Sequence, residues 1–408
     1  MEKNILILTT TNEFLGKFEQ ENVKILKRMG YNVHYAANMD EPHYISDRER
    51  ILAMGVGVHH IDIVRSPFML RENRRALRQL LDMIDRYHIH IIHCHTPVGG
   101  LLGRLAGKLY RKDKVTILYT AHGFHFYKGA PFFNRTVYYY VEKKLARYTD
   151  ILIVINKEDY EAAQKFHLKK NGCLYRIPGV GLDRSRFSPL GPQEKLLCRK
   201  ELGIPPKIFF LVSVGELNEN KNHRILLEAL SAMRDRGMDL SSIRYAICGD
   251  GFLRQELERR IRVLNLENTV FLLGHTKRIR DILGCADASV FPSKREGLGM
   301  AGLESLSMGI PVIAADNRGT REYMEHKKNG FVCRYDDVEG YIKGIKFIQG
   351  LSSQKRRQME KYCIHCTRPF DRIYANAVMK EIYTEVDRKL AASFKEDPLF
   401  PFEGMHRL

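Results

Sequence analysis

The stretch FPSKREGLGMAGLESLSMGIP, residues 291–311, contains a strand end, a glycine-rich bend and the start of a helix. The apolar residues 288–291 predict a buried strand, and Gly309 and Pro311 are typical of a helix end. Glycines at the mouth of a helix let a ligand approach the backbone, and the first N–H groups of a helix are unpaired donors that favour anions. The stretch therefore predicts a phosphate site at the start of this helix.

Two glutamates lie eight positions apart across the bend. Glu296 is predicted in the loop, and Glu304 about a turn and a half inside the helix. Carboxylates accept two hydroxyl donors at once, and a neutral sugar offers such donors. The pattern favours a phosphate at the helix mouth with hydroxyl-bearing groups on either side. An ordinary capped surface helix with solvent-exposed glutamates is the alternative that this stretch leaves open.

The rest of the chain alternates short apolar runs with helical patterns, beginning with a strand at 5–8, a loop at 9–16 and a helix at 18–29. Alternating strands and helices predict doubly wound α/β domains, which bind ligands at the carboxyl ends of their strands. A chain of 408 residues is too long for one ordinary core. We therefore predict two Rossmann-like domains facing each other across a cleft, over 1–188 and 189–369, with a last helix at 370–391.

Several of the predicted strands end in histidine, lysine or glycine. His122 and His125 follow a strand of the first half, and neutral imidazole can hold a sugar hydroxyl because it both donates and accepts. Structural roles for these histidines stay open, as does plain surface exposure for Lys221, which is placed to reach a phosphate. The strand ends of the second half bring these residues to one edge: Gly215, Asn220, Lys221, Gly249, Asp250, Gly251 and His275.

The formal net charge of +18 calls for an anionic partner. Each basic residue near an anionic membrane contributes about 1 kcal/mol. Nucleic acid would attract the same charge, but no zinc-finger or RNA-recognition motif accompanies it, so membrane contact is preferred. A solvated basic surface without a special partner stays open. The basic residues cluster in the first half: Arg65, Arg71, Arg74, Arg75, Arg78, Arg104, Lys108, Arg111, Lys112, Lys114, Lys143, Lys144 and Arg147.

Composition also bears on location and metal binding. No apolar run is long enough to cross a bilayer, and secretion is not expected. The eight cysteines are scattered and are expected to stay reduced. The His-Cys-His run at 93–95 and the Cys-Ile-His-Cys run at 363–366 lack a second ligand pair at zinc spacing, so no metal site is predicted.

Taken together, these motifs resemble the family 4 retaining glycosyltransferases of GT-B fold. The matching features are Glu296 and Glu304 in an E-x7-E arrangement, Val-Gly at 214–215 with Lys221, and the runs at 249–251 and 271–275. The likeness covers most of residues 1–390, and it implies that the last helix, at 370–391, crosses back to complete the first domain. The subgroup most similar makes bacterial capsule and exopolysaccharide, and these segments resemble it: 93–100, 120–126, 155–160 and 177–181.

The resemblance implies roles for individual residues. Glu304 would hold the donor ribose, Glu296 the hydroxyls of the transferred sugar, and Lys221 the diphosphate. His122, Glu296 and Lys221 are the implied catalytic residues, and His95 and His125 lie on the acceptor side. The implied donor-binding residues are Gly16, Gly215, Asn220, Lys221, Gly249, Asp250, Gly251, His275, Glu296, Gly297, Leu298, Gly299, Met300, Ala301 and Glu304.

The chain departs from the family at one position of the diphosphate site. An arginine usually accompanies the lysine there, and this chain has Glu216 followed by Leu217. One cation is therefore missing. Stabilisation of the leaving group must come from Lys221, from the helix mouth, or from another residue, with Arg224 as one candidate.

By the same resemblance, the chain is expected to transfer a sugar of the GlcNAc, GalNAc, Gal or Glc type from a UDP-sugar to a polyprenyl-linked saccharide. No cofactor and no metal are expected. The expected location is cytoplasmic, on the inner face of the cell membrane through basic helices of the first domain, without nucleic acid. A nucleotide-sugar epimerase and a non-catalytic nucleotide-sugar-binding partner subunit remain alternatives.

Overall fold

The computed structural model describes residues 2–40, 48–110 and 115–396. The first domain has the strands β1 (Lys3–Thr11), β2 (Tyr31–Asn38), β3 (Gly57–His60), β4 (Ile91–His95), β5 (Thr116–Ala121), β6 (Ile151–Val154) and β7 (Cys173–Arg176). Its helices are α1 (Gln20–Arg28), α2 (Arg48–Ala53), α3 (Leu70–Arg86), α4 (Pro97–Leu109), α5 (Tyr139–Ala146) and α6 (Lys157–Ala163). Short π-helical segments at Leu15–Glu19 and Asn134–Tyr138 precede α1 and α5.

The strands of the first domain form a parallel sheet in the order β3-β2-β1-β4-β5-β6-β7. Its centre is built from continuous apolar runs, because parallel strands are covered on both faces. In β1, residues 5–8 have no solvent exposure. The expected loop at 9–16 is wrong in part: Thr11 still pairs with Asn38, and residues 15–19 are π-helical.

The second domain repeats this architecture with the strands β8 (Phe209–Val214), β9 (Ile243–Cys248), β10 (Val270–Gly274), β11 (Ala288–Phe291), β12 (Val312–Ala315) and β13 (Gly330–Cys333). Their order is β10-β9-β8-β11-β12-β13, all parallel. The helices are α7 (Pro192–Glu201), α8 (Arg224–Asp235), α9 (Arg254–Val263), α10 (Ile279–Gly284), α11 (Met300–Ser307), α12 (Val338–Gln349) and α13 (Ser353–Cys366).

The long helix α14 (Arg372–Glu396) returns to the first domain, as expected for the last helix. The Tyr383 hydroxyl lies 2.8 Å from His93 Nδ1. Asp387 accepts from Lys3 Nζ at 2.7 Å and from the Tyr31 hydroxyl at 2.8 Å. Apolar residues of α14, such as Ile382, join a hydrophobic core that contains residues of both domains. This helix therefore fixes the two sheets to each other.

Three residues of the predicted basic cluster, Arg111, Lys112 and Lys114, lie outside the described residues. No helix within the described ranges is long and apolar enough to cross a membrane.

Candidate active site

The bend before α11 is held against the loop after β8. Lys221 Nζ lies 2.7 Å from Glu296 Oε1, and the two side chains are only 23% and 14% exposed. Asn220 Nδ2 donates to the Arg295 carbonyl at 2.9 Å, and the Lys294 N–H donates to the Asn220 carbonyl at 2.8 Å. Two strand ends of the second domain thus present one carboxylate and one ammonium group as a pair.

The same bend contacts the first domain through Gly297. A Cβ atom at Gly297 would lie 1.9 Å from the His122 carbonyl oxygen, so a side chain cannot be placed there without moving the backbone. Asn156 Nδ2 donates to the Gly297 carbonyl at 3.0 Å. Glycine is therefore required here because two loops from different domains meet backbone to backbone.

A cavity of about 290 Å³ opens where these loops meet. Its walls come from the ends of β4 and β5, from the segment around α5, and from the 295–297 bend. Lining residues include Thr96, His122, His125, Tyr138, Glu142, Asn220, Arg295, Glu296, Gly297 and Arg318. Of the predicted site residues, His122, His125, Asn220, Glu296 and Gly297 therefore line one cavity, and Lys221 joins them through Glu296.

His95, predicted on the acceptor side, lies behind His122 and is fully buried. Its Nδ1 atom is 3.1 Å from His122 Nε2, and its Nε2 atom is buried without a hydrogen-bond partner. Burial lowers the pKa of His122 to about 4 and holds the pKa of His95 well below its usual value. Both imidazole rings are therefore neutral at pH 7. An orphan lone pair at His95 Nε2 costs less than an orphan N–H. This favours His95 Nδ1–H donating to His122, which leaves His122 Nδ1–H as a donor to a ligand.

Glu19 lies beside this histidine pair, and the sequence interpretation missed it. It is buried, with Oε1 3.6 Å from His95 Nδ1 and Oε2 accepting from Asn22 at 2.6 Å. Burial raises its pKa to about 8. The available signal was its spacing, because Glu19 lies four residues from both Leu15 and Val23 on an apolar face. A charged residue in that position indicates a special environment.

Glu19, His93 and His95 each place a ligand-capable atom within 4.8 Å of the others, so their composition could hold a cation. The hydrogen bonds oppose it. Both ring nitrogens of His93 are already engaged, with the Tyr383 hydroxyl at 2.8 Å and the Thr120 hydroxyl at 2.7 Å. A metal ion bound by His93 would have to break one of these bonds, and the cluster is a hydrogen-bonded network.

The missing cation of the diphosphate site is not replaced by Arg224. That guanidinium pairs with Glu228 at 3.3 Å and lines a different cavity. Arg318 lines the cleft cavity, but it pairs with Asp159 at 2.6 Å. Arg295 lines the same cavity, its guanidinium lies 6.0 Å from the centre of the Tyr127 ring, and within the described chain it has no carboxylate partner. Of these three arginines, Arg295 is therefore the one that lines the cleft cavity without a carboxylate partner in the described chain.

Other predicted donor residues lie outside the lining of this cavity. Gly16 is buried in the π-helical segment rather than in an open loop, so the expected loop is wrong there. Gly249 packs against the next strand end, because a Cβ atom there would lie 1.9 Å from the Gly215 carbonyl oxygen. Glu304 also lies outside the lining of the cavity. Burial raises its pKa to about 7, and the charge of Arg186 partly opposes this rise. The others outside are Gly215, Asp250, Gly251, His275, Leu298, Gly299, Met300 and Ala301.

Two family models match the chain, one for each domain. The model described as glycosyl transferase 4-like matches residues 4–156. The model of the glycosyl transferases group 1 matches residues 195–365.

Individual relatives agree. The chain is 38% identical to EpsD of Bacillus subtilis (strain 168), provisionally named a glycosyltransferase, over 85% of this chain and 87% of that protein. It is 27% identical to the UDP-Gal:alpha-D-GlcNAc-diphosphoundecaprenol alpha-1,3-galactosyltransferase of Escherichia coli, over 74% and 75% of the two chains. The crystal structure of Anabaena HepE with UDP and glucose aligns with a TM-score of 0.75 at 19% identity, covering 94% of this chain and 100% of that one.

Two facing parallel sheets, a returning last helix and a cleft lined from both sides define the GT-B fold. The chain belongs to the family of group 1, 4-like glycosyltransferases, which confirms the resemblance seen in the sequence. Its relatives include a protein provisionally named for colanic acid biosynthesis, the glycosyltransferase WcaL of Escherichia coli (strain K12), which is 27% identical over 46% of each chain.

Proposed function

We propose that this chain transfers a hexose or N-acetylhexosamine from a UDP-sugar to a polyprenyl-linked saccharide during exopolysaccharide synthesis, with retention of anomeric configuration. The observation that carries the proposal is the cavity between the domains, where His122, Asn220, Arg295 and Glu296 converge. The Escherichia coli relative is named for a UDP-galactose donor and a diphosphoundecaprenol-linked acceptor, which supports these substrate classes.

The arrangement suits departure of a nucleoside diphosphate. As the glycosidic bond breaks, negative charge develops on the leaving oxygen, and preorganised donors aimed at it stabilise the transition state. Lys221, the start of α11 and Arg295 would meet that charge, with Arg295 in place of the arginine missing at Glu216. Glu296 would then accept hydroxyls of the transferred sugar, and His122 Nδ1–H would donate to substrate. The cleft between the domains would limit hydrolysis by excluding water.

Catalysis without a metal ion and attachment to the inner face of the cell membrane complete the proposal. The first follows from the family resemblance, so transfer should persist in the presence of a chelator. The second follows from the excess of basic residues in the first domain.

The test is calorimetric titration with a panel of UDP-sugars in a chelating buffer, followed by transfer to a polyprenyl-diphosphate-linked saccharide. We expect one donor to bind selectively and Glu296→Gln to lower turnover by roughly a hundredfold. Glu228→Gln, which changes a carboxylate outside the cleft cavity, is the matched control. A donor sugar altered without acceptor would identify an epimerase. Polysaccharide synthesis that survives Glu296→Gln in cells would identify a non-catalytic partner.

A further inference from the structure

The helical segment that ends in α5 exposes large apolar side chains instead of burying them. Phe132 is 82% exposed and Tyr140 is 62% exposed, and Phe133, Val137 and Val141 are exposed as well. All five residues lie within 132–141, on the π-helical turn Asn134–Tyr138 and directly on either side of it. We call Phe132, Phe133, Val137, Tyr140 and Val141 the apolar stripe.

The opposite face of this segment helps to build the candidate active site. Tyr139 packs edge-on against Phe126, with ring centres 5.2 Å apart. Glu142 pairs with Arg104 at 2.7 Å, and Tyr138 and Glu142 line the cleft cavity. A helix is about 10 Å across, so the apolar stripe lies roughly one helix diameter from the cavity.

Basic residues flank the apolar stripe along the chain. Among residues 128–147 the single carboxylate is Glu142, and Arg104 neutralises it. Glu158 accepts from the backbone N–H of Lys128, but within the described chain no carboxylate forms an ion pair with the basic side chains of this segment, which are Lys128, Arg135, Lys143, Lys144 and Arg147. Exposed aromatic and aliphatic side chains flanked by unpaired cations are typical of a helix that lies in the interface of an anionic bilayer. A protein partner would need carboxylates at matching positions, whereas an anionic lipid surface can contact all of these basic side chains at once.

We propose that the apolar stripe inserts into the interfacial region of an anionic lipid bilayer, with the basic side chains around it contacting lipid headgroups. Docking in this way brings the cavity next to the membrane surface, where a polyprenyl-linked acceptor presents its saccharide. The proposal rests on the proposed function, which includes attachment to the membrane, and it assigns that attachment to the apolar stripe.

The test is flotation of the full chain with vesicles of phosphatidylglycerol and phosphatidylethanolamine. We expect Phe133→Gln combined with Tyr140→Gln to weaken binding by at least roughly tenfold, because two apolar side chains lose their burial in lipid. The matched control is Leu196→Gln with Leu197→Gln, which changes exposed apolar residues of α7 in the second domain and should leave flotation unchanged. Lys143→Gln with Lys144→Gln should weaken binding to these vesicles as well, and phosphatidylcholine vesicles should bind the wild type poorly.

Transfer assays separate docking from catalysis. The stripe variant should transfer to a short-chain, water-soluble acceptor at the wild-type rate and lose rate only on acceptor embedded in vesicles. Equal flotation of stripe variant and wild type would overturn the docking proposal. A second result would also overturn it: the wild type forms a dimer in light scattering, the stripe variant does not, and neither protein binds vesicles. Wild-type protein that floats but transfers to neither acceptor would refute the proposed function and leave docking intact. Thermal melting checks that each variant is folded.

Discussion

Arg295 is the cation of the cleft that we propose in place of the arginine missing at Glu216. It lines the cleft cavity without a carboxylate partner in the described chain, next to Glu296. If it supplies the cation missing at Glu216, Arg295→Met should weaken UDP-sugar binding by about tenfold, which is about 1.4 kcal/mol. Calorimetric titration measures this loss directly.

The control and the rescue for this prediction come from the same region. Arg224→Met should leave binding unchanged, because Arg224 pairs with Glu228 away from the cleft cavity. Adding Glu216→Arg to the Arg295→Met variant should restore part of the lost affinity, since it returns an arginine to the family position. Unchanged binding in Arg295→Met would exclude this guanidinium from the diphosphate site.

Glu19 gives the stability a predictable pH dependence. Burial raises its pKa from 4.5 to about 8. A raised carboxyl pKa means that its favourable contribution is fully present below about pH 4.5 and is lost as the pH rises through about 8. Each pKa unit corresponds to about 1.4 kcal/mol, so ionisation at high pH costs a few kcal/mol. Glu19→Gln should therefore raise the melting temperature at pH 9 and leave it nearly unchanged at pH 5.

The neighbouring Glu21 is a control of opposite sign. Burial tends to raise its pKa, but hydrogen bonds and charge from Lys24, with Arg372 and Asn376, outweigh this and lower it. Its stabilising contribution is present above the unfolded pKa, so Glu21→Gln should lower the melting temperature slightly at pH 9. A lower melting temperature of both variants at pH 9 would mean that ionised Glu19 does not destabilise the folded chain.

At the level of strands and helices, local sequence pattern explains much of the fold. Buried parallel strands are continuous apolar runs, so the predicted strand at 288–291 coincides with β11, and the predicted helix at 18–29 contains α1. The bend around Glu296 and the return of α14 also follow from sequence. These features depend on residues close in the chain or on a family pattern.

Features that depend on tertiary contacts did not follow from sequence. The segment before α5 carries apolar residues on its exposed face, so hydrophobic periodicity does not predict which face of this segment is buried. The π-helical turn at 15–19 replaces an expected loop, because Leu15 and Glu19 are drawn into the core. Arg318 and Asp159 are 159 positions apart, and no local spacing indicates their contact. Positions of strand ends could be predicted, whereas the partners they meet across the cleft could not.

At the scale of the whole molecule, one buried ion pair connects the two domains at the site. Arg318 Nη1 lies 2.6 Å from Asp159, and Arg318 Nη2 donates to the Phe124 carbonyl at 2.6 Å. Asp159 also accepts from the Phe124 N–H at 3.1 Å. Burial lowers the pKa of Arg318 and raises that of Asp159, so desolvation opposes both charges. We therefore expect the pair to contribute little net stability and to fix how the domains meet.

This view predicts different results for single and double variants. Arg318→Met alone leaves the Asp159 charge buried and unpaired, and should destabilise the chain by about 3–5 kcal/mol. Arg318→Met with Asp159→Leu removes both charges and should restore most of that stability, because neither group then pays for desolvation. The double variant should nevertheless show a larger radius of gyration in X-ray scattering and slower transfer, since the contacts of Arg318 with Asp159 and with the Phe124 carbonyl, which hold the Phe124 loop beside the Glu296 bend, are then lost. Arg334→Met, which breaks an exposed pair with Asp336 inside the second domain, is the control and should alter neither property. If the double variant were as unstable as the single one, the pair would be a stabilising contact and not a positional one.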